Sequence, residues 1–351
     1  MKKLLVLALA VSSVAFLGAQ VVPPPASQTS NGPTRLAADP SFDQLVPADA
    51  KLELIKSGFG FTEGTIWVQN GRSGYLVVTD MAANVIYKWT PDGNLSVLVD
   101  RAGYTGHDIW RVGMPQTNGP ENFFLIGSNG NALDPQGRLI IAGWASRKIE
   151  AVDLKTGKRT TLTDRVDGKR LGGPNDVEVK KNGTIYFTDG VGGMRGRGED
   201  PSRELFKNGA FMIKDGRVSF QTEDIPGANG LVLSPDERVL YVNGGPSKTI
   251  MRYDVKSDDT LTNGRLFVDL STDKTPGITD GMKVDSKGNL WTSCCGGIWV
   301  LSPEGKKLGF IRAPELVANL TFGDPDLKTL YVAARMGLYK MRVNVAGIPG
   351  K

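Results

Sequence analysis

The 351-residue sequence contains one histidine, His107, and only two cysteines, Cys294 and Cys295, which are adjacent. A single imidazole leaves Ser-His-Asp and Cys-His catalysis with at most one candidate base, and neither cysteine has an evident base beside it in sequence. Adjacent cysteines cannot staple distant parts of a chain, so stability has to come from the core. Two reduced thiols, one on each face of a strand, are the ordinary arrangement; a vicinal disulfide, with its unusual geometry, is the alternative. Charge of one sign is also scarce. Lysine and arginine number 42 against 37 acids, a net charge of +5, and they are scattered through turns and strand edges. No basic helix or stripe is present, which argues against a nucleic-acid partner. Long apolar runs are missing except at 4–17, and no amphipathic helix of useful length is visible.

That one apolar run follows Lys2 and Lys3 and is too short and wrongly flanked for a spanning helix. It reads as a secretory leader over residues 1–19, with cleavage after Ala15 or Ala19, and so as a periplasmic or secreted protein with no membrane span once the leader is gone. Residues 20–45, with Pro23, Pro24 and Pro25 followed by SQTSNG, read as a flexible tether, and the folded domain is expected over 46–346.

What is abundant is glycine (44) and proline (20), spread evenly in Asp-Gly and Asn-Gly turns. The stretch LGGPNDVEVKKNGTIYFTD (171–189) gives the pattern: a polar turn, an alternating strand, a Lys-Asn-Gly turn, then a β-branched and aromatic strand. The pattern recurs five more times. Aligned on the apolar residue opening each second strand (Leu76, Leu139, Ile185, Leu240, Leu290, Leu330), the copies lie 63, 46, 55, 50 and 40 residues apart. Strand-only repeats of about this length, each followed by a further hairpin, predict an all-β, six-bladed β-propeller. The last copy lacks a fourth strand and KLELIKS (51–57) is an orphan, so the N-terminal strand is expected to close the last blade. Long loops at 103–124 and 189–208 are placed to cover one mouth of the channel.

In each copy a polar residue stands 10 to 13 positions before the aligned apolar one: Glu63, Asn129, Asn175, Asn229, Asp280 and Asn319. Inner strands line the axis of a propeller, so these side chains would converge at one end. Two carboxylates and several amide oxygens, without His or Cys, suit a hard oxygen-seeking cation, Ca²⁺ first, with Mg²⁺, Mn²⁺ or Zn²⁺ as alternatives. A plain turn-forming role accounts for Asn-Gly and Asp-Gly but not for Glu63, a poor turn residue. Lys169, Arg170, Arg195 and Arg197 lie in loops expected at the same mouth, either as solvated charges or as contacts for an anionic sugar acid or its lactone.

These copies, with TDMAANVIYKW (79–89), LDPQGRL (133–139), GKRLGGPND (168–176) and DGMKVDSKGNLW (280–291), resemble the gluconolactonase branch of the SMP-30/gluconolactonase/LRE family over residues 50–345. The resemblance implies a six-bladed propeller with one catalytic divalent metal in the channel and a sugar-derived lactone as small-molecule substrate, opened by metal-activated water. Carried onto this chain, the metal ligands would be Glu63, Asn175, Asn229 and Asp280, with Asp280 also the catalytic base, and Asn129 and Asp176 would be neighbours that position water or substrate. His107, Lys169 and Arg170 complete the expected substrate contacts. Two departures fall near the substrate mouth: Ala142 and Trp144 stand in the strand where the branch usually has a histidine, and Asp189, Gly190 and Val191 where it has a TDPPYG turn. The alternatives are a non-catalytic ligand- or protein-binding propeller, or an organophosphate or other ester hydrolase using the same site.

Overall fold

A computed structural model describes residues 34–118, 121–222 and 225–349. The expected leader at 1–19 and the first part of the expected tether lie outside the described residues.

Six four-stranded antiparallel meanders make up the molecule. Blade I comprises Thr62–Asn70, Ser73–Asp80, Val85–Trp89 and Leu95–Val99. Blade II comprises Asn131–Leu133, Leu139–Gly143, Lys148–Val152 and Arg159–Thr163. Blade III comprises Pro174–Val179, Ile185–Asp189, Gly209–Lys214 and Arg217–Phe220. Blade IV comprises Leu231–Leu233, Val239–Asn243, Thr249–Val255 and Leu261–Asp269. Blade V comprises Met282–Val284, Leu290–Cys294, Gly297–Leu301 and Lys307–Arg312. Blade VI takes Val317–Gly323, Thr329–Ala334 and Gly337–Arg342 from the C-terminus and is completed by Glu53–Ser57. That closing strand runs antiparallel to the third strand, Glu53 opposite Lys340 and Ser57 opposite Gly337. The inner strands touch their neighbours in a closed cycle, blade VI returning to blade I.

Burial follows from this packing. The second strands of blades II, III, V and VI are buried at every residue because each blade is sandwiched between two others. Each Val, Leu or Ile so enclosed contributes roughly 1.5–3 kcal/mol relative to exposure. The core is therefore a set of inter-blade seams. Between II and III, Ile140, Ala142 and Ile149 meet Val177, Phe187 and Phe211. At the closing seam Trp67 of blade I stacks on Tyr331 of blade VI, centroids 5.6 Å apart and planes 8° apart.

Three expectations are corrected. Residues 34–45 are not a tether: Arg35–Ala37 adds a fifth strand to blade V, Leu36 opposite Phe310, and the 3-10 turn Pro40–Gln44 buries Phe42 against Gly309. The single aromatic among polar neighbours supplies the apolar anchor. The domain also runs past 346, since Gly347 bridges to Asp285 and Ile348 packs against the blade IV–V seam. Finally, Cys294 and Cys295 are joined as a vicinal disulfide at the end of a blade V strand, both buried, with Cys295 in the left-handed region at φ 55°.

Candidate metal-centred active site

The expected ring residues of blades I, II and IV sit where an inner strand first meets the second strand of its blade. Asn129 N donates to Ala142 O (2.8 Å) and Asn229 N to Asn243 O (3.1 Å), while Glu63 lies opposite Thr79. Neighbouring blades are tied at the same level, with Gly130 N on Asn175 O (2.8 Å) and Gly281 N on Ala318 O (2.7 Å). The second bond corrects one assignment: Ala318, not Asn319, occupies the ring position of blade VI. The inner strand is bulged here as it is at the same place in blades I and III, and spacings that range from 10 to 13 residues do not resolve a one-residue offset.

Asn319 therefore acts from beside the ring. Its Nδ2 donates to Glu63 Oε2 (2.9 Å), and its Oδ1 accepts from Thr65 Oγ1 (3.0 Å) and Leu320 N (2.9 Å). Asp176 is its counterpart in blade III. Its carboxylate is buried, accepting from Val177 N (2.9 Å) and, across the seam, from Leu231 N (3.2 Å).

The glycines that follow Glu63, Asn129 and Asn229 are spacing devices as much as turn residues. A Cβ on Gly64 would collide with Asn129 O, on Gly130 with Asp176, and on Gly230 with Asp280 O. Of these three only Gly64 has a positive φ, so at the other two it is the close approach of the next blade that demands glycine.

The electrostatics are those of buried acids pressed together, with Lys283 as a cation acting on Glu63 and Asp176. Burial raises Glu63 to about 7, with Asp176 adding to the effect and Asn319, Gly64 N–H and Lys283 opposing it. Asp280 is driven well above the usual carboxylate range by burial, then by the charges of Glu63 and Asp176; it also hydrogen-bonds to Asn229 and to the Glu63 carboxyl. Burial raises Asp176 too, against Lys283 and its two backbone donors. Amid these groups Asn229 Oδ1 is buried without a hydrogen-bond partner. Asn129 and Asn175 make no side-chain hydrogen bond among the described residues.

A cation fits this donor set. An orphaned amide oxygen beside mutually repelling carboxylates lacks only a positive charge, and the oxygen-only chemistry matches Ca²⁺. Glu63, Asn229, Asp280 and Asp176 interact directly or electrostatically, and Asn129 and Asn175 join them through the Gly130–Asn175 bond.

Of the other expected contacts, Lys169 and Arg170 lie away from the inner strands. His107 is exposed in the first long loop. Lys169 and Arg170 form the hairpin Arg165–Val166/Lys169–Arg170, which packs on the outer strand of blade III, and Arg170 N donates to Glu204 (2.9 Å). The two long loops instead meet each other. Val112 bridges to Met194, Gly113 N donates to Gly193 O (2.9 Å), and Arg195 donates to Ile109 O (2.7 Å) and Val112 O (2.6 Å) while lying over Phe124. Trp144 is buried beneath this cap, its indole against Gly192. The unusual tryptophan of the sequence is thus the footing of the cap.

Sequence reasoning missed the groups that aim the ring. Thr79, Thr188 and Asn243, each near the end of a second strand, donate to the ring carbonyl of the next blade: Asn129 O (3.2 Å), Asn229 O (2.6 Å) and Asp280 O (2.6 Å). Asp80 and Asp189, following the threonines, clamp the loop that enters their own blade through Gly60 and Phe61 N–H and through Gly172 and Gly173 N–H. The signal was the Thr-Asp pair repeated at 79–80 and 188–189.

The family model described as SMP-30/Gluconolactonase/LRE-like region matches residues 61–335. The chain belongs to this family. Among relatives, a gluconolactonase of Zymomonas mobilis is 32% identical over 317 residues, 88% of this chain and 85% of that protein. A pentonolactonase of Haloferax volcanii is 32% identical over 49% of this chain and 62% of its own length. Among solved structures, a Xanthomonas campestris gluconolactonase superposes with a TM-score of 0.74 at 27% identity, covering 92% of this chain and 99% of that one. The propeller of Agrobacterium tumefaciens regucalcin, at 16% identity and a TM-score of 0.64 over 86% of this chain and 96% of that one, shares the fold.

Proposed function

We propose that this lactone-hydrolysing enzyme opens a sugar-derived lactone with the help of one divalent cation, Ca²⁺ by preference, held by Glu63, Asn175, Asn229 and Asp280. The observation that carries the reading is the unpartnered Asn229 Oδ1 among carboxyls that burial and mutual repulsion push toward their acid forms. The gluconolactonase and pentonolactonase relatives support the substrate class.

Bound there, the cation would supply Lewis-acid stabilisation of charge on the lactone carbonyl. Asp280, ionised when the cation lies beside it, would take the proton of the attacking water as its oxygen adds to the carbonyl carbon. The ring C–O bond then breaks, and the same proton passes to the departing ring oxygen to give the hydroxy acid. Asn129 orients water or substrate. Glu63 is held in place by Asn319 and Gly64 N–H and serves as a plain ligand. We further propose, from the leader at 1–19, that the protein works in the periplasm or outside the cell.

Two measurements test this. Calorimetric titration of chelator-treated protein with Ca²⁺ should show one site, weakened in Glu63→Gln; absence of a saturable site overturns the metal assignment. Asp280→Asn should keep part of the Ca²⁺ affinity through its amide oxygen yet lose about 10²- to 10⁴-fold in turnover of glucono-lactone, followed by proton release. Recovery of the full rate with excess Ca²⁺ and raised pH would assign Asp280 to ligation alone.

A further inference from the structure

Below the ring, toward the opposite face, the axial channel widens into a cavity of about 450 Å³ with walls from all six blades. This is within the usual range for small-molecule pockets, and it plays no part in the chemistry proposed above. Its walls are mainly apolar, including Ile66, Val179, Val232 and Phe322, and the C-terminal residues Ile348 and Pro349 line it as well.

Two polar groups mark its ring-ward end. Asn131 is only 3% exposed, and its Nδ2 is committed to Gly64 O and Thr79 Oγ1, both at 2.8 Å. Those two bonds fix the orientation of the amide, and its Oδ1 is left buried with no partner. Lys283 lines the same space and makes no hydrogen bond or ion pair among the described residues. The cavity therefore presents the Lys283 ammonium as a donor over apolar walls, and a ligand hydroxyl can accept from it. An uncharged ligand is favoured, because Lys181 and Lys283 are balanced by Glu178 and Glu237 around the cavity and Lys283 also lies within electrostatic reach of Glu63 and Asp176.

We propose that the lower channel is a second ligand site, separate from the metal ring, for an uncharged, mainly apolar molecule bearing a hydroxyl group. Calorimetric titration of the full chain with 1-hexanol tests it. The expected result is saturable one-to-one binding, weakened at least tenfold in Lys283→Met and abolished in Val232→Phe, which fills the cavity; lactone turnover without hexanol is unchanged in Val232→Phe. If that variant does not fold, the Lys283→Met comparison decides alone. Non-saturating heats, or wild-type affinity in Lys283→Met, overturn the proposal. Tighter binding of hexanoate than of hexanol overturns the assignment to an uncharged ligand.

Discussion

Burial raises the Asp189 carboxyl to about 6, despite the N–H groups of Gly172 and Gly173 and the charge of Arg147. In the unfolded chain the same group titrates near 3.8. Because the folded state holds the proton more tightly, stability is greatest while Asp189 is protonated and falls as pH rises between those two values, by roughly 3 kcal/mol in all. This sign is opposite to that of a salt-bridged carboxylate. Asp189→Asn removes the titration, so the difference in unfolding free energy between mutant and wild type should shift in the mutant's favour from pH 4 to pH 7. Urea unfolding at several pH values measures it, and a pH-independent difference would contradict it. Glu63, Asn229 and Asp280 stood out in the sequence because a polar residue recurs 10 to 13 positions before an apolar one in every copy. Asn319 was set one residue from the ring position because that spread of spacings does not resolve a single residue. The distance of Lys169 and Arg170 from the axis was not legible, since turn chemistry says where a loop begins and not how far from the axis it lies.

Among the elements, the second strands do more than fill the seams. Thr188 Oγ1 accepts from Asp176 N (3.0 Å) and donates to Asn229 O (2.6 Å), so one hydroxyl sets a ring residue of blade IV against a brace of blade III. Thr188→Val keeps the shape and leaves two buried backbone groups unpaired, an expected loss of about 2–4 kcal/mol. Calcium affinity should fall with it, and Thr188→Ser should restore both; urea unfolding and calorimetry provide the readouts. The hairpins themselves were visible in the sequence, because alternating and β-branched runs between Gly-containing turns leave little choice of period. The three-residue strand Arg35–Ala37 was not, being too short to carry a pattern. The meeting of the two long loops was hidden as well, since it depends on backbone bonds and on the Arg195 guanidinium over Phe124.

For the molecule as a whole, the six-bladed ring and its closure by the strand before blade I followed from counting: six copies, a missing last strand and one orphan. The additional N-terminal staple on blade V did not. Phe42, fully buried among Trp291, Ile298, Leu308 and their neighbours, anchors it. Phe42→Ala should cost about 3–5 kcal/mol, checked by thermal or urea unfolding; a loss below 1 kcal/mol would mean that the segment is an ornament. The two N-terminal strands also bear on the order of assembly. Residues 35–37 and 53–57 are synthesised long before their partners, 309–311 and 337–340. Until those partners are made the nascent chain carries strand edges with nothing to pair with, and contacts this distant in sequence form slowly. A product truncated before Gly337 would leave blade VI incomplete and Glu53–Ser57 unpaired, so unfinished chains should be marked for proteolysis by their own N-termini.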